Sequence, residues 1–172
     1  MGNKIQTRCL QNIDVIILAG GLGTRLAGVL EGIPKVLAPI CGVPFLEFIL
    51  MWLSSYGARR IILSLGYLGY EIEKFVKEKF NGDTEIICVH EETPKGTAGG
   101  LANVSCYIES NLALVMNGDS FVDADLCELI DNHKSAARVA TILCTSVANA
   151  ERYGSIKLSD DGTVLSFQEK PE

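Results

Sequence analysis

Along the chain, short runs of apolar, mostly β-branched residues alternate with longer stretches whose apolar positions recur every three or four residues. The runs "DVIILA" (14–19), "RRIILSL" (59–65) and "EIICVH" (85–90) predict strands, and "PFLEFILMWLSSYG" (44–57) and "EIEKFVKEKF" (71–80) between them predict helices. In the first helix Phe45, Ile49, Trp52 and Tyr56 form one stripe, with Pro44 suited to the first turn and Gly57 to the end. In the second, Ile72, Phe75, Val76 and Lys79 lie opposite Glu71, Lys74 and Glu78, as in a helix resting on a sheet. A third helix is expected from after Gly99 to near Ser110. "LALVM" (112–116) then reads as a fully buried strand, "NGDS" as the turn at its carboxyl end, and "DADLCELIDNHKSA" (123–136) as a helix capped by Asp123 or Asp125. "RVATILCT" (138–145) is expected to be a further strand, and the tail folds as two antiparallel strands about the turn dipeptide Asp161-Gly162. This succession predicts an α/β fold with a mainly parallel sheet and helices on both faces. Ligands of such sheets collect at the carboxyl ends of the strands where the strand order reverses.

Composition narrows the function. A chain of 172 residues with 48% hydrophobic content is long enough for one well-buried domain, and neither repeats nor a linker divide it. The formal charge of -6 argues against a nucleic-acid binder, which needs a basic face to displace counterions. No apolar stretch is long enough to span a membrane and no signal peptide opens the chain, so no membrane partner is expected. Six cysteines, Cys9, Cys41, Cys88, Cys106, Cys127 and Cys144, lack paired metal-ligand spacing and read as free thiols of a cytoplasmic protein. His90 and His133 likewise lack ligand spacing and read as structural or solvated.

The candidate chemistry begins after the first strand, in "LAGGLGTRL" (18–26). Gly20, Gly21 and Gly23 can adopt positive φ and expose successive N–H groups, and Arg25 adds a forked, permanently charged donor, so the loop can hold a phosphate chain. A dinucleotide fingerprint would need a third glycine where Leu26 stands and an acid after the second strand, where Gly66 stands. A P-loop would need Gly-Lys-Ser/Thr after the glycines, and Thr24-Arg25 does not supply it.

Five segments in order, "LAGGLGTRL", "PKVLAPI" (34–40), "TPKGTAGG" (93–100), "MNGDS" (116–120) and "EKP" (169–171), resemble the signatures of sugar-1-phosphate nucleotidyltransferases. The G-T-A-G form of 96–99 is nearest to D-glycero-D-manno-heptose 1-phosphate guanylyltransferases and GDP-mannose pyrophosphorylases, and the likeness runs from Ile13 onward. The resemblance implies one catalytic domain, a Rossmann-like three-layer sandwich of the nucleotide-diphospho-sugar transferase fold. It implies transfer of a nucleotidyl group from GTP to a sugar 1-phosphate, with release of pyrophosphate and with Mg2+ as cofactor, for surface polysaccharide biosynthesis.

Residue roles follow from the same resemblance. Leu18, Ala19, Gly20, Gly21, Gly23, Thr24 and Arg25, together with Asn117 and Gly118, are the residues expected to hold the nucleotide. Lys35 meets the phosphates near the reaction centre, and Asp119 binds the magnesium. Lys170 holds the sugar phosphate, Glu169 accepts hydrogen bonds from sugar hydroxyls, and the Gly154 backbone lies nearby. Arg25, Lys35, Asp119 and Lys170 are the expected catalytic set, gathering positive charge locally on an acidic protein. Guanine presents two adjacent donors, N1–H and the 2-amino group, which one carboxylate can accept together. Glu91, or else Glu92, is the candidate guanine reader, with the Gly96 and Thr97 backbone in support.

Two departures stand out. Lys95 occupies a place where relatives carry an apolar residue, and the family continues past "EKP" into an Asn-Ala-Gly segment and a later aspartate, the second magnesium ligand. Neither follows here, so the chain is expected to lack the C-terminal part of the fold, to bind nucleotide more weakly than relatives and to show low or absent turnover unless a partner chain or the lost segment completes the site. Apolar surface left by that segment would favour a homo-oligomer. The competing readings are the same chemistry with mannose 1-phosphate, or with UTP or dTTP, and a catalytically dead nucleotide-binding subunit.

Overall fold

The computed structural model describes residues 8–21, 32–80, 82–93, 96–147 and 154–168. The chain up to Ala136 and the chain from Ala137 onward form two compact units.

The first unit is built on four parallel strands, β1 (Asp14–Ala19), β4 (Arg60–Leu65), β5 (Glu85–His90) and β6 (Ala113–Asn117), in the order β5-β4-β1-β6. Strands β2 (Pro39–Ile40) and β3 (Val43–Pro44) form a small hairpin. Its turn residues Cys41 and Gly42 both have positive φ, as a two-residue hairpin turn requires. Helices α1 (Phe45–Ser55), α2 (Gly69–Lys79), α3 (Gly96–Val104) and α4 (Leu126–Ala136) complete the unit, with single 3-10 turns at Lys35–Leu37 and Ser105–Tyr107.

Alternation along the strands sorts the core into two layers. Val15, Ile17 and Ala19 of β1 and Ile61, Leu63 and Leu65 of β4 pack with Leu46, Ile49, Leu50 and Leu53 of α1, Ile72 and Val76 of α2, and Leu126 and Ile130 of α4. Ile16, Ile62 and Val89 point the other way and meet Val104 and Leu101 of α3. Helices therefore cover both faces, which is why the strands read as unbroken apolar runs. The fully buried stripe of α1 is Leu46, Ile49 and Leu53, while Phe45, Trp52 and Tyr56 flank it, half-buried. Lys79, expected on the apolar stripe of α2, is exposed at the last turn.

The amino end of the sheet is locked by charge. Asp14, 4% exposed, accepts hydrogen bonds from the N–H groups of Glu109 (2.6 Å) and Ser110 (2.9 Å). Arg60 approaches it at 3.8 Å and also pairs with Glu85 and Glu109. Burial pushes the Asp14 carboxyl up, but the hydrogen bonds and the Arg60 charge outweigh it and hold it below the usual range.

Four expectations are corrected. Helix α3 begins at Gly96, not after Gly99, and ends at Val104. The "GTAGG" run keeps its small residues inside the helix because Gly100 lies against its neighbours too closely for a Cβ. β6 is an edge strand among the described residues rather than fully buried, with Val115 42% exposed. Residues 138–145 form no strand, since no described ladder takes up their backbone and Val139, Ile142 and Leu143 are exposed. Finally, Cys9 and Cys127 form a disulfide, because the turn before β1 meets the first turn of α4 with the two Cα atoms 5.4 Å apart. Cys41, Cys88, Cys106 and Cys144 are free thiols, and burial pushes Cys88 up to about 11, which keeps it protonated and inert.

The cap of α4 is Asp125, whose carboxylate accepts the Cys127 N–H at 2.9 Å. In the second unit β7 (Ser155–Leu158) pairs antiparallel with β8 (Val164–Gln168), and Gly162 takes positive φ at the turn. Among the described residues no helix is long and apolar enough to cross a membrane.

Candidate active site

Strand order reverses at β1, because the chain runs β1, β4, β5 to one side and returns to place β6 on the other. The carboxyl ends of β1 and β6 thus flank the switch point, where a ligand can reach the backbone of both following loops. Gly20 and Gly21 follow β1 there, and Asn117, Gly118 and Asp119 lie at the end of β6. The Gly118 N–H donates to the Leu18 carbonyl at 2.9 Å, tying the two loops together. A Cβ on Gly118 would meet Ile17 and Val36 at 3.1 Å, so glycine permits this close crossing.

Lys35 arrives from the 3-10 turn after Pro34, and its Nζ donates to Asp119 Oδ2 at 2.6 Å. The two side chains are 40% and 36% exposed, so the pair stands open to an incoming anion. Ser120 donates to the other carboxylate oxygen at 3.1 Å. Burial pushes the Asp119 carboxyl up, and the Lys35 hydrogen bond and charge, with Ser120, more than reverse this. Asp119 is therefore a carboxylate at neutral pH.

On the β5 side, Glu91 follows the strand with its N–H bonded to the Leu65 carbonyl at 2.7 Å. Ser64 donates to Glu91 Oε1 at 2.9 Å, while no described group donates to Oε2. A Cβ on Gly20 would lie 3.4 Å from Oε1, and one on Gly100 would lie 2.7 Å from it. The carboxylate is thus seated between the glycine loop, β4 and α3. Glu92 and Thr97 are exposed, and Gly96 opens α3 with positive φ. His90 is structural: its Nε2 lies 2.7 Å from Glu73 Oε2 and its ring stacks on Tyr70 at 4.4 Å.

The structure therefore brings Leu18, Ala19, Gly20, Gly21, Glu91, Asn117, Gly118, Lys35 and Asp119 to one end of one sheet. Gly154 lies in the second unit, where a Cβ would come within 2.6 Å of the Phe167 ring. Gly23, Thr24, Arg25, Glu169 and Lys170 lie outside the described residues, as does Lys95. Sequence reasoning missed Ser64, Gly66 and Gly100. A Cβ on Gly66 would meet the Gly20 carbonyl oxygen at 2.5 Å, so Gly66 lets the backbone after β1 pass close over the end of β4. The available signal was one serine inside "IILSL", buried and polar where every neighbour is apolar.

The Asp119 carboxylate, half open beside the loop that follows β1, is a hard oxygen donor of the kind that suits a magnesium ion. Among the described residues no group of three or more metal-ligating side chains is present.

The profile of the nucleotidyl transferase family matches residues 14–172. A D-glycero-alpha-D-manno-heptose 1-phosphate guanylyltransferase of Campylobacter jejuni is 36% identical over 92% of this chain and 69% of its own length. A mannose-1-phosphate guanylyltransferase of Mycobacterium tuberculosis is 33% identical over 93% of this chain and 45% of its own length. The crystal structure of HddC from Yersinia pseudotuberculosis, complexed with GMP-PN, is 35% identical, with a TM-score of 0.75 over 93% of this chain and 70% of its own. The sheet and helices described above are the α/β arrangement of these proteins.

Proposed function

The chain belongs to the nucleotidyl transferase family, and on that premise we propose that it transfers GMP from GTP to a sugar 1-phosphate, D-glycero-D-manno-heptose 1-phosphate foremost, releasing pyrophosphate. The observation that carries this reading is the Lys35–Asp119 pair at the switch point beside Gly20 and Gly21.

In the reaction a phosphate oxygen of the sugar 1-phosphate attacks the α-phosphorus of GTP, the bond to the β-phosphate oxygen breaks, and pyrophosphate leaves. No covalent intermediate on the protein is needed, so the protein's work is alignment and charge stabilisation. The glycine-loop amides and Arg25 receive the triphosphate, and Lys35 supplies a charged donor to the reacting phosphate oxygens. Magnesium held by Asp119 would neutralise charge on the phosphate oxygens. Lys170, Glu169 and the Gly154 backbone are assigned to the sugar 1-phosphate. Glu91 reads guanine: Ser64 fixes Oε1, and the carboxylate retains lone pairs for N1–H and the 2-amino group. A chain of net charge -6 recruits its anions through this local field.

The second reading exchanges the sugar for mannose 1-phosphate, as the name of the Mycobacterium relative at 33% identity suggests. Incubation of GTP, Mg2+ and each sugar 1-phosphate, followed by mass spectrometry of the nucleotide sugar, separates the two. GDP-heptose accumulating ahead of GDP-mannose is expected. GDP-mannose as the main product establishes the second reading, and nucleotide sugars formed only from UTP or dTTP overturn both.

A further inference from the structure

Asp119 sits on a segment with little to hold it. Gly118 is anchored to Leu18, and Leu126 is buried at the start of α4, but residues 119–125 between them belong to neither helix nor strand and are largely exposed. Among the described residues, α1 supplies the contacts that fix the middle of this segment. The Phe121 ring lies edge-on to Trp52, with centroids 4.9 Å apart and planes at 70°. One turn further along the helix, Tyr56 donates its hydroxyl to the Ala124 carbonyl at 3.4 Å, and its ring meets Trp52 at 5.7 Å.

The same helix carries the other half of the ion pair. The Phe45 N–H at its start donates to the Ala38 carbonyl at 3.0 Å, directly after the 3-10 turn that presents Lys35. Val36 of that turn is buried in the core formed by α1. One rigid element therefore sets both ends of the 2.6 Å contact between Lys35 and Asp119.

We propose that Trp52 is a positioning residue for Asp119, holding the carboxylate toward the phosphate site through Phe121. The inference rests on the reading of Asp119 as the magnesium-binding carboxylate. Phe121 is 48% exposed and its ring pairs with the Trp52 indole, so losing the indole removes that support without touching Asp119. An aromatic edge-to-face pair is strong enough to matter and directional enough to fix a loop.

Trp52 is the chain's only tryptophan, which gives the test a readout independent of turnover. Binding of GTP is measured by calorimetry with Mg2+ and with a chelator, for wild type, Trp52→Ala, Trp52→Phe, Phe121→Ala and the double variant, and Trp52 emission is recorded in wild type and Phe121→Ala. Both alanine variants are expected to lose about tenfold in affinity for GTP with Mg2+, the scale of one aromatic pair, and to bind metal-free GTP as wild type does. Trp52→Phe keeps the wild-type affinity, and the double variant falls no further than either single one, because the two rings act as one contact. Phe121→Ala shifts the Trp52 emission to the red. An unchanged magnesium increment in Phe121→Ala overturns the inference whether or not the emission moves, and this exposed position carries the test if Trp52→Ala does not fold. A wild-type chain whose GTP affinity is indifferent to Mg2+ overturns the reading of Asp119 itself and takes the inference with it.

Discussion

As a folding contact the Lys35–Asp119 pair is weak: its side chains, 2.6 Å apart, are 40% and 36% exposed, and solvent screening limits such a pair to about 1 kcal/mol or less of stability. In the proposed reaction its effect is expected to be larger, because a charged donor beside phosphate would act where charge moves. Lys35→Met is therefore expected to leave the thermal midpoint within about 2 °C of wild type while GDP-sugar formation falls by roughly 100-fold. Calorimetric melting and product quantification check the two halves. The residues around Glu91 work by shape. Gly100 has no room for a Cβ beside Oε1, and Gly66 has none beneath Gly20, so neither needs a functional group to be part of the site. Gly100 lies inside the signature 93–100, but neither it nor Gly66 reveals in the sequence which distant group it meets, because a close approach between separate elements leaves no local pattern. Lys35, Asp119 and the first two glycines each belong to a sequence motif, and Glu91 is a candidate through the chemistry of its carboxylate; the structure brings all five to one end of the sheet.

At the scale of elements, what could be read depended on whether the signal was local. The strands β1, β4 and β5 and the helices α1 and α2 were visible from periodicity, and Pro44 and Gly57 bound α1 as expected. The Asp161-Gly162 hairpin was equally plain, its turn chemistry being contained in two residues. The run 138–145 misled, because β-branched residues create a preference for strand, whereas a strand exists only when a neighbouring ladder accepts its hydrogen bonds. The disulfide was invisible for a related reason: Cys9 and Cys127 are 118 positions apart, and only the fold makes them neighbours. Closing so long a loop restricts the unfolded chain, with a stabilisation of about 3–5 kcal/mol. Reduction is expected to lower the midpoint by about 6 °C or more, and Cys9→Ser should melt at the lower temperature with or without reductant. Equal midpoints for oxidised and reduced wild type would show that the link contributes nothing.

Over the first unit as a whole, the two ends of the sheet divide the labour. The carboxyl end is open, glycine-rich and charged for ligands, while the amino end is closed by Asp14, Arg60 and the Glu109–Ser110 backbone. The Asp14 carboxyl is held below its ordinary value, so its stabilisation is complete above about pH 4 and is lost as pH falls through the lower value it has in the fold. Asp14→Asn is expected to be less stable than wild type at pH 7, and the difference should shrink as the pH falls below about 4. A constant difference across that range would contradict the assignment. Net charge belongs to this scale too: a chain at -6 that binds GTP must do so through local field, so its nucleotide affinity should be carried by a few named groups. The most direct test is calorimetric titration of GTP and UTP, with Mg2+, into wild type and Glu91→Gln. The account predicts that wild type prefers GTP by at least tenfold, the discrimination expected of a paired carboxylate contact, and that Glu91→Gln loses most of that preference while the UTP affinity barely moves. An intact preference in Glu91→Gln, or wild type binding UTP as tightly as GTP, would contradict it.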